Sequence, residues 1–179
     1  MNNDFRRLSA GILLGAGWLL AAGLPAFGQE PPVAPTSLGK FEAWEAFTYQ
    51  AEDSKVCYVF SAPAKSEANK KVNRDPAYFM ITHWPGRKIK GQVSTIIGYT
   101  FKDGSGVKLE LGDTSFELYP VDNMAWTDKP ETEKAIVAAM KGAKSMKISG
   151  TSQRGTETQD TYTLAGLKAA LAKIDSVCK

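Results

Sequence analysis

Short segments rich in β-branched and aromatic residues, separated by turn residues, recur from residue 41 to residue 163. Segments of this length and composition, bounded by Gly, Pro, Asn, Asp and Ser, are typical of β-strands. Many regularly spaced strands favour an all-β sandwich or barrel. The predicted strands are residues 41–49, 55–62, 77–84, 93–101, 107–111, 114–119, 145–152 and 156–163.

Two helices are predicted to interrupt these strands. In the first, Thr127 or Asp128 suits the N-cap and Pro130 suits the first turn. The second follows Thr163, a predicted N-cap, and carries one apolar stripe that suits packing on a sheet. The stripe comprises Leu164, Leu167, Leu171, Ile174 and Cys178. We therefore predict a mostly β fold: an antiparallel β-sandwich or partly closed barrel with two helices, the C-terminal one packed on the sheet.

The first 28 residues have the features of a signal peptide. Arg6 and Arg7 precede an apolar run at residues 8–24, and Ala26-Phe27-Gly28 places small residues at a cleavage site. The alternative is a membrane anchor, but the run is shorter than the roughly 20 residues that span a bilayer. We expect export and cleavage near Gly28, with no transmembrane segment left in the mature chain.

The rest of the chain suits one compact domain. Residues 29–39 contain three prolines and are predicted to be a flexible lead-in. Residues 40–179 are predicted to form a single β-rich domain, located in the periplasm or associated with the outer envelope.

Two cysteines, Cys57 and Cys178, lie in the exported part. An even number in an oxidising compartment predicts a disulfide, the alternative being free or intermolecularly paired thiols. Cys178 lies on the apolar stripe, and Cys57 alternates in phase with Val59. The disulfide would therefore clamp the terminal helix across the second predicted strand.

The polar stretch at residues 150–166 is predicted to be a hairpin arm, a turn and a second arm. Met146 and Ile148 on the first arm must face the same core as Tyr162 on the second. Even-numbered residues must therefore pair with even-numbered residues, which requires a three-residue turn at residues 153–155. Gly155 then occupies the left-handed position of the turn.

In this register Asp160 points inward beside Ile148. A buried carboxylate needs hydrogen-bond donors or a cation. We predict a structural carboxylate that accepts from backbone amides or a hydroxyl. The alternative is a ligand-binding or catalytic carboxylate in a cleft.

Motifs of catalysis are absent from the sequence. There is no nucleophile elbow, P-loop or dinucleotide fingerprint. One histidine and two distant cysteines match no zinc site of known spacing. The histidine, His83, is predicted to be a packed or hydrogen-bonded residue. We expect no enzyme activity, no cofactor and no metal.

The charge balance and the positions of the basic residues indicate which classes of partner the chain can bind. The chain has 22 Lys and Arg against 19 Asp and Glu, too even a balance to imply nucleic acid. Basic residues cluster between predicted strands, where they are expected to be solvated or, alternatively, to meet anionic lipid headgroups or cell-wall polymer. The clusters are Lys70, Lys71 and Arg74, and Arg87, Lys88 and Lys90. The second cluster, with Trp84 beside it, is the candidate binding site for an envelope protein or anionic cell-surface polymer.

Several stretches of the chain resemble one family of exported bacterial proteins. They are "WEAFTY", "KVCYVFSAPAKSE", "YFMITHWPG" and the run G-T-S-x-R-G-T-x-T-x-D-T-Y near the C terminus. Over residues 40–178 the sequence resembles the invasion-associated locus B family. The resemblance implies an envelope protein and supplies no catalytic residues. We predict a non-enzymatic binding protein; the alternative is an envelope hydrolase or small-ligand binder using a cleft near Asp160 and His83.

Overall fold

The computed structural model describes residues 34–71 and 73–179. The predicted signal peptide and the first part of the lead-in lie outside these residues. The described strands are β1 Thr36–Phe41, β2 Trp44–Gln50, β3 Lys55–Ser61, β4 Lys65–Ala68, β5 Tyr78–Trp84, β6 Ile89–Ile96, β7 Val107–Leu111, β8 Thr114–Val121, β9 Met124–Trp126, β10 Ser145–Thr151 and β11 Glu157–Thr163.

All eight predicted strands are present, and the structure adds three. These are β1, β4 and β9. All four residues of β4, Lys-Ser-Glu-Ala, are exposed and show no apolar alternation, so its backbone pairing with β11 defines it as a strand. β1 begins at Thr36, inside the segment predicted to be a lead-in. β6 begins at Ile89, earlier than predicted, because its pairing with β5 starts directly after the turn.

The strands form one antiparallel sheet in the order β1-β2-β3-β5-β6-β9-β8-β7-β10-β11-β4. The sheet is not closed, so the fold is a sandwich rather than a barrel. β8 pairs with β9 on one side and with β7 on the other, and so joins two layers. We call β1, β2, β3, β5, β6 and β9 the first layer, and β7, β10, β11 and β4 the second layer.

The two layers pack face to face around one apolar core. The rings of Phe79 on β5 and Tyr162 on β11 have centroids 6.1 Å apart. The indole Nε1 of Trp44 on β2 donates to the Thr163 carbonyl at the end of β11, at 3.1 Å. Trp44, Phe79 and Tyr162 are completely buried.

Two helices pack on this core: α1 Pro130–Gly142 and α2 Leu167–Val177. The predicted apolar stripe of α2 is buried along its whole length and belongs to the main core cluster. The predicted caps are wrong, because the N-cap residues are Lys129 and Gly166. Gly166 has a φ of +87°, and a Cβ there would collide with the Phe41 carbonyl. A side chain would therefore push the start of α2 away from the end of β1.

A disulfide joins Cys57 on β3 to Cys178 directly after α2, with the Cα atoms 6.0 Å apart. Both residues are buried. The bond ties α2 to the middle of the first layer, as the phase of the two cysteines predicted.

Reducing the disulfide should lower stability without changing the fold, because the bond closes a loop of 121 residues. In the chain-entropy model this loop contributes roughly 4–5 kcal/mol. We expect a Cys57→Ala/Cys178→Ala variant to unfold at lower urea concentration and with a larger m-value, because its unfolded chain is less compact and exposes more surface. A midpoint equal to that of the oxidised protein would show that the bond does not restrain the unfolded chain.

Candidate functional site

The β10–β11 hairpin has the predicted register. Met146 pairs with Tyr162 and Ile148 pairs with Asp160. The turn is closed by a 2.9 Å hydrogen bond from the Ser152 amide to the Thr156 carbonyl, and Gly155 has a φ of +70°. The inward phase of Asp160 is therefore confirmed.

Asp160 is completely buried and is held by an arginine and a serine. Its Oδ1 accepts from Ser66 Oγ at 2.7 Å and from Arg74 Nη2. Its Oδ2 accepts from Arg74 Nη1 at 2.9 Å, so the pair is bidentate. Burial opposes the charge of Arg74, but the hydrogen bonds and charge of Asp160 outweigh it and raise the pKa of Arg74. The Arg74 guanidinium therefore carries its positive charge beside Asp160.

Arg74 connects three parts of the fold. Besides Asp160, its Nη1 donates to the Ile97 carbonyl at 2.9 Å, and its Nη2 donates to Ser66 Oγ at 3.0 Å. Only 10 % of the Arg74 side chain is exposed. The prediction that this cation is solvated is wrong, because the buried carboxylate of Asp160 on β11 pairs with it. Of the two kinds of partner predicted for Asp160, the hydroxyl is present on Ser66, and the cation of Arg74 takes the place of the backbone amides.

The other inward residues of the polar run at residues 150–166 also have structural contacts. Thr158 Oγ1 lies 2.7 Å from the Tyr99 hydroxyl. A Cβ on Gly150 would lie 2.7 Å from Phe101, so the glycine makes room for that ring. Burial and the charge of Asp160 raise the pKa of Tyr162, which keeps its phenol neutral. The run therefore specifies the interior of the second layer.

His83 lies on the inner face of β5 and is 4 % exposed. Its Nδ1 accepts from the Gly91 amide at 3.0 Å, so the proton is on Nε2, which lies 3.1 Å from Asp175 Oδ1. Lys90 Nζ lies 2.8 Å from the same oxygen. The sequence did not indicate Asp175 as the partner, although it lies one turn after the buried Leu171 on α2.

His83 and Asp160 do not form one site. His83 lies near the C-terminal end of β5, where its strand neighbours are Cys57 and Lys90. Asp160 and Arg74 lie near Ile97, beyond the opposite end of β5. The two groups share no hydrogen-bond partner among the described residues.

Trp84 and Arg87 form a cluster around Asp53. The Arg87 guanidinium lies 3.6 Å from the centre of the Trp84 ring. Trp84 Nε1 donates to Asp53 Oδ1 at 3.0 Å, and Arg87 Nε lies 3.6 Å from Oδ2. The indole hydrogen bond, together with Arg87, lowers the pKa of Asp53. Lys88 is exposed and has a left-handed φ of +57° at the end of the short turn.

The outer side of the first layer carries aromatic rings. Phe47 and Tyr58 are stacked, with centroids 5.7 Å apart and an interplanar angle of 18°. Phe60 stacks on Phe47 at 5.7 Å and meets Tyr78 edge-on at 5.5 Å. We call Phe47, Tyr49, Tyr58, Phe60 and Tyr78 the aromatic face. All five are partly exposed.

Trp84 extends the aromatic face along β5. Tyr78, Met80, Thr82 and Trp84 alternate with the buried Phe79, Ile81 and His83. The alternation places Trp84 on the same side of the sheet as Tyr78. The alternation along β5 is visible in the sequence. The sequence does not say which of its two sides faces the core, so the outer apolar side is recognised only in the structure.

The outer side of the second layer is polar by contrast. Lys147 pairs with Glu110 and Thr161, and Ser149 pairs with Lys108 and Gln159. A charged or polar outer face is the ordinary condition of a half-buried antiparallel sheet. The outer side of the first layer is therefore unusual, because it is aromatic whereas the outer side of the second layer is polar.

No helix in the described part of the chain is long and apolar enough to cross a membrane. No group of three or more His, Cys, Asp or Glu side chains in residues 34–71 and 73–179 is placed to hold a metal ion.

The fold and its buried polar run define an antiparallel β-sandwich protein with a disulfide-clamped terminal helix. The family model described as "Invasion associated locus B (IalB) protein" matches residues 44–175. The chain therefore belongs to the invasion associated locus B family.

One solved structure supports the fold. The crystal structure of invasion associated protein b from Bartonella henselae has 15 % sequence identity and a TM-score of 0.55. The match covers 79 % of this chain and 96 % of that chain. At this identity the likeness concerns the fold alone. The search of curated proteins found no match.

Removing either member of the Asp160–Arg74 pair should destabilise the sandwich, because an unpaired buried charge remains. We expect Asp160→Asn and Arg74→Met each to lower the free energy of unfolding by about 3–5 kcal/mol. The double variant should lose less than the sum, since the members interact directly. Urea denaturation of the four proteins measures this coupling; additive losses would contradict it.

The Asp175 carboxylate should add a pH-dependent contribution to stability. Burial raises the pKa of Asp175, but hydrogen bonds from Lys90 and His83 outweigh it, so the folded pKa lies below the ordinary 3.8. The stabilisation is therefore present above the ordinary value and is lost as pH falls through the folded pKa. The Tm difference between the protein and Asp175→Asn should shrink from about pH 5 to pH 2. A constant difference would contradict this assignment.

Proposed function

We propose that this chain is a non-enzymatic binding protein of the cell envelope, and that its aromatic face binds another envelope protein. The observation that carries the proposal is the difference between the two outer faces of the sandwich. A contiguous apolar patch on a soluble domain marks a site of interaction, whereas scattered apolar residues do not.

The bonding of the two candidate catalytic groups argues against an enzyme. A general base needs a free lone pair within reach of substrate. Both ring nitrogens of His83 already have partners, and both oxygens of Asp160 accept hydrogen bonds from Arg74. An acid–base reaction at either group would first have to break these contacts.

The composition of the aromatic face favours a protein as the partner. Aromatic residues, Met and Arg are enriched in protein interfaces, and Trp, Tyr and Arg dominate their binding energy. The face and its margin supply Phe and Tyr side chains together with Met80, Trp84 and Arg87. Burial raises the pKa of Tyr58, so the centre of the face stays uncharged.

An anionic polymer is less well matched to the same region. Arg87 lies against Asp53, and Lys90 lies against Asp175. Of the three predicted binding cations, only Lys88 has no ion pair within the described residues. A polymer would therefore compete with two existing carboxylates for its contacts.

The location follows from features at the N terminus and in the core. The predicted signal peptide, which lies outside the described residues, directs the chain out of the cytoplasm. A buried disulfide suits an oxidising compartment. We propose that the mature protein is periplasmic or associated with the outer envelope.

Site-specific photocrosslinking tests the proposed interface. With p-benzoylphenylalanine in place of Tyr58, irradiation of intact cells should attach one envelope protein to the full-length exported chain. The attachment should disappear in a Phe60→Ser/Tyr78→Ser background. The purified partner should bind this variant at least roughly tenfold more weakly, as expected when interface anchors are truncated.

The matched control places the photoreactive residue at Lys147, on the polar outer face of the second layer. This position should give no product. The Phe60 and Tyr78 variants should stay folded, because each cross-strand aromatic pair contributes only about 0.2–1 kcal/mol. Equal products from both positions, or a product degraded by glycan hydrolases but not by protease, would overturn the proposal. A product that joins two copies of the chain would show that the aromatic face mediates self-association, and would overturn the proposal of another envelope protein as its partner.

A further inference from the structure

A cleft of about 300 Å³ lies between the first layer and both helices. His83 and Gly91 form its sheet side. This volume is at the lower end of the range for small-ligand sites. The cleft faces the inner side of β5, so it is separated by the sheet from the aromatic face.

Each helix presents one face to this cleft. α1 contributes Lys134, Val137, Ala138 and Lys141, which are spaced by three, one and three residues and therefore lie on one side of the helix. α2 contributes Leu171 and Asp175, one turn apart. The cleft is consequently apolar between the helices and charged at its edge.

The charges around the cleft are unequal. Its lining has three lysines, Lys90, Lys134 and Lys141, against the single carboxylate of Asp175. Lys90 and His83 occupy that carboxylate. Lys134 and Lys141 are exposed, and neither has an ion pair within the described residues. The edge formed by α1 therefore has an excess of positive charge that no protein group in the described part offsets.

We propose that this cleft binds a single-chain anionic amphiphile. Its hydrocarbon tail lies against Val137 and Leu171, and its anionic head group lies beside Lys134 and Lys141. An apolar cavity of about 150 Å³ holds one benzene molecule, so the cleft has room for a tail of about ten carbons. The head group is a carboxylate, as in a free fatty acid, or a phosphate monoester, as in a lipid fragment.

The cleft and the aromatic face are separate surfaces. The residues that line the cleft belong to the opposite side of the sheet and to the helices. A variant that abolishes partner crosslinking at Tyr58 should leave amphiphile binding unchanged, and the reverse should also hold.

Calorimetric titration of the oxidised mature protein with decanoate, below its micelle concentration, tests the site. One decanoate should bind per chain, and decyl phosphate distinguishes the two head groups. Decanol and decyltrimethylammonium should bind at least roughly tenfold more weakly, because they lack the anionic charge. Charge reversal by Lys134→Glu/Lys141→Glu should weaken decanoate binding about tenfold, as two exposed charge contacts allow.

Two further variants make the test specific. Ala138→Trp should abolish binding by filling the cleft, and its exposed helical position makes misfolding easy to detect by the thermal transition. Lys147→Glu changes the charge of the second layer and should leave the affinity unchanged. Equal affinity for decanoate and decanol, unaltered binding to Ala138→Trp, or no saturable binding by any of the anions would overturn the proposal.

Discussion

Arg74 and Asp160 hold the two layers of the sandwich together at a point where apolar contacts alone would leave a polar strand unsatisfied. Asp160 belongs to β11 in the second layer, and the Ile97 carbonyl that shares Arg74 directly follows β6 in the first. A buried ion pair is weak evidence for net stability, since desolvation offsets most of the attraction. Its consequence here is specificity: only one arrangement of the layers and of the segment carrying Arg74 satisfies the carboxylate.

The same arrangement determines which surfaces remain for function. The polar run on β10 and β11 looks like a binding loop in the sequence, yet its inward members contact Phe101, Tyr99, Arg74 and Phe79. Both helices lie on the inner side of the first layer, and no helix or strand of the described residues covers its outer side. The candidate interaction surfaces are therefore an aromatic sheet face and a lysine-edged cleft beside the helices, and neither includes the polar run itself.

Several features followed from local pattern because their cause is local. The alternation of side chains alone predicts the three-residue turn and the pairing of Ile148 with Asp160. A shift of one residue in the pairing would expose Met146 or Tyr162 to solvent. The 3-4 spacing of apolar residues likewise places Cys178 on the buried side of α2. The N-caps were mispredicted because the strand ends and Gly166, rather than a capping side chain, decide where each helix begins. β4 was missed because edge pairing through backbone groups leaves no pattern of side chains.

The sequence by itself determined the inward and outward phase of most strands, the hairpin register and the partnership of the two cysteines. Alternation and helical periodicity encode these features within short stretches of chain. Only the tertiary structure decided that Arg74 pairs with Asp160, 86 residues away, and that Asp175 pairs with His83, 92 residues away. Such contacts depend on how loops return the chain to the sheet and on which side the helices settle. Local periodicity carries no information about either, so the aromatic face and the cleft emerge only when the layers are assembled.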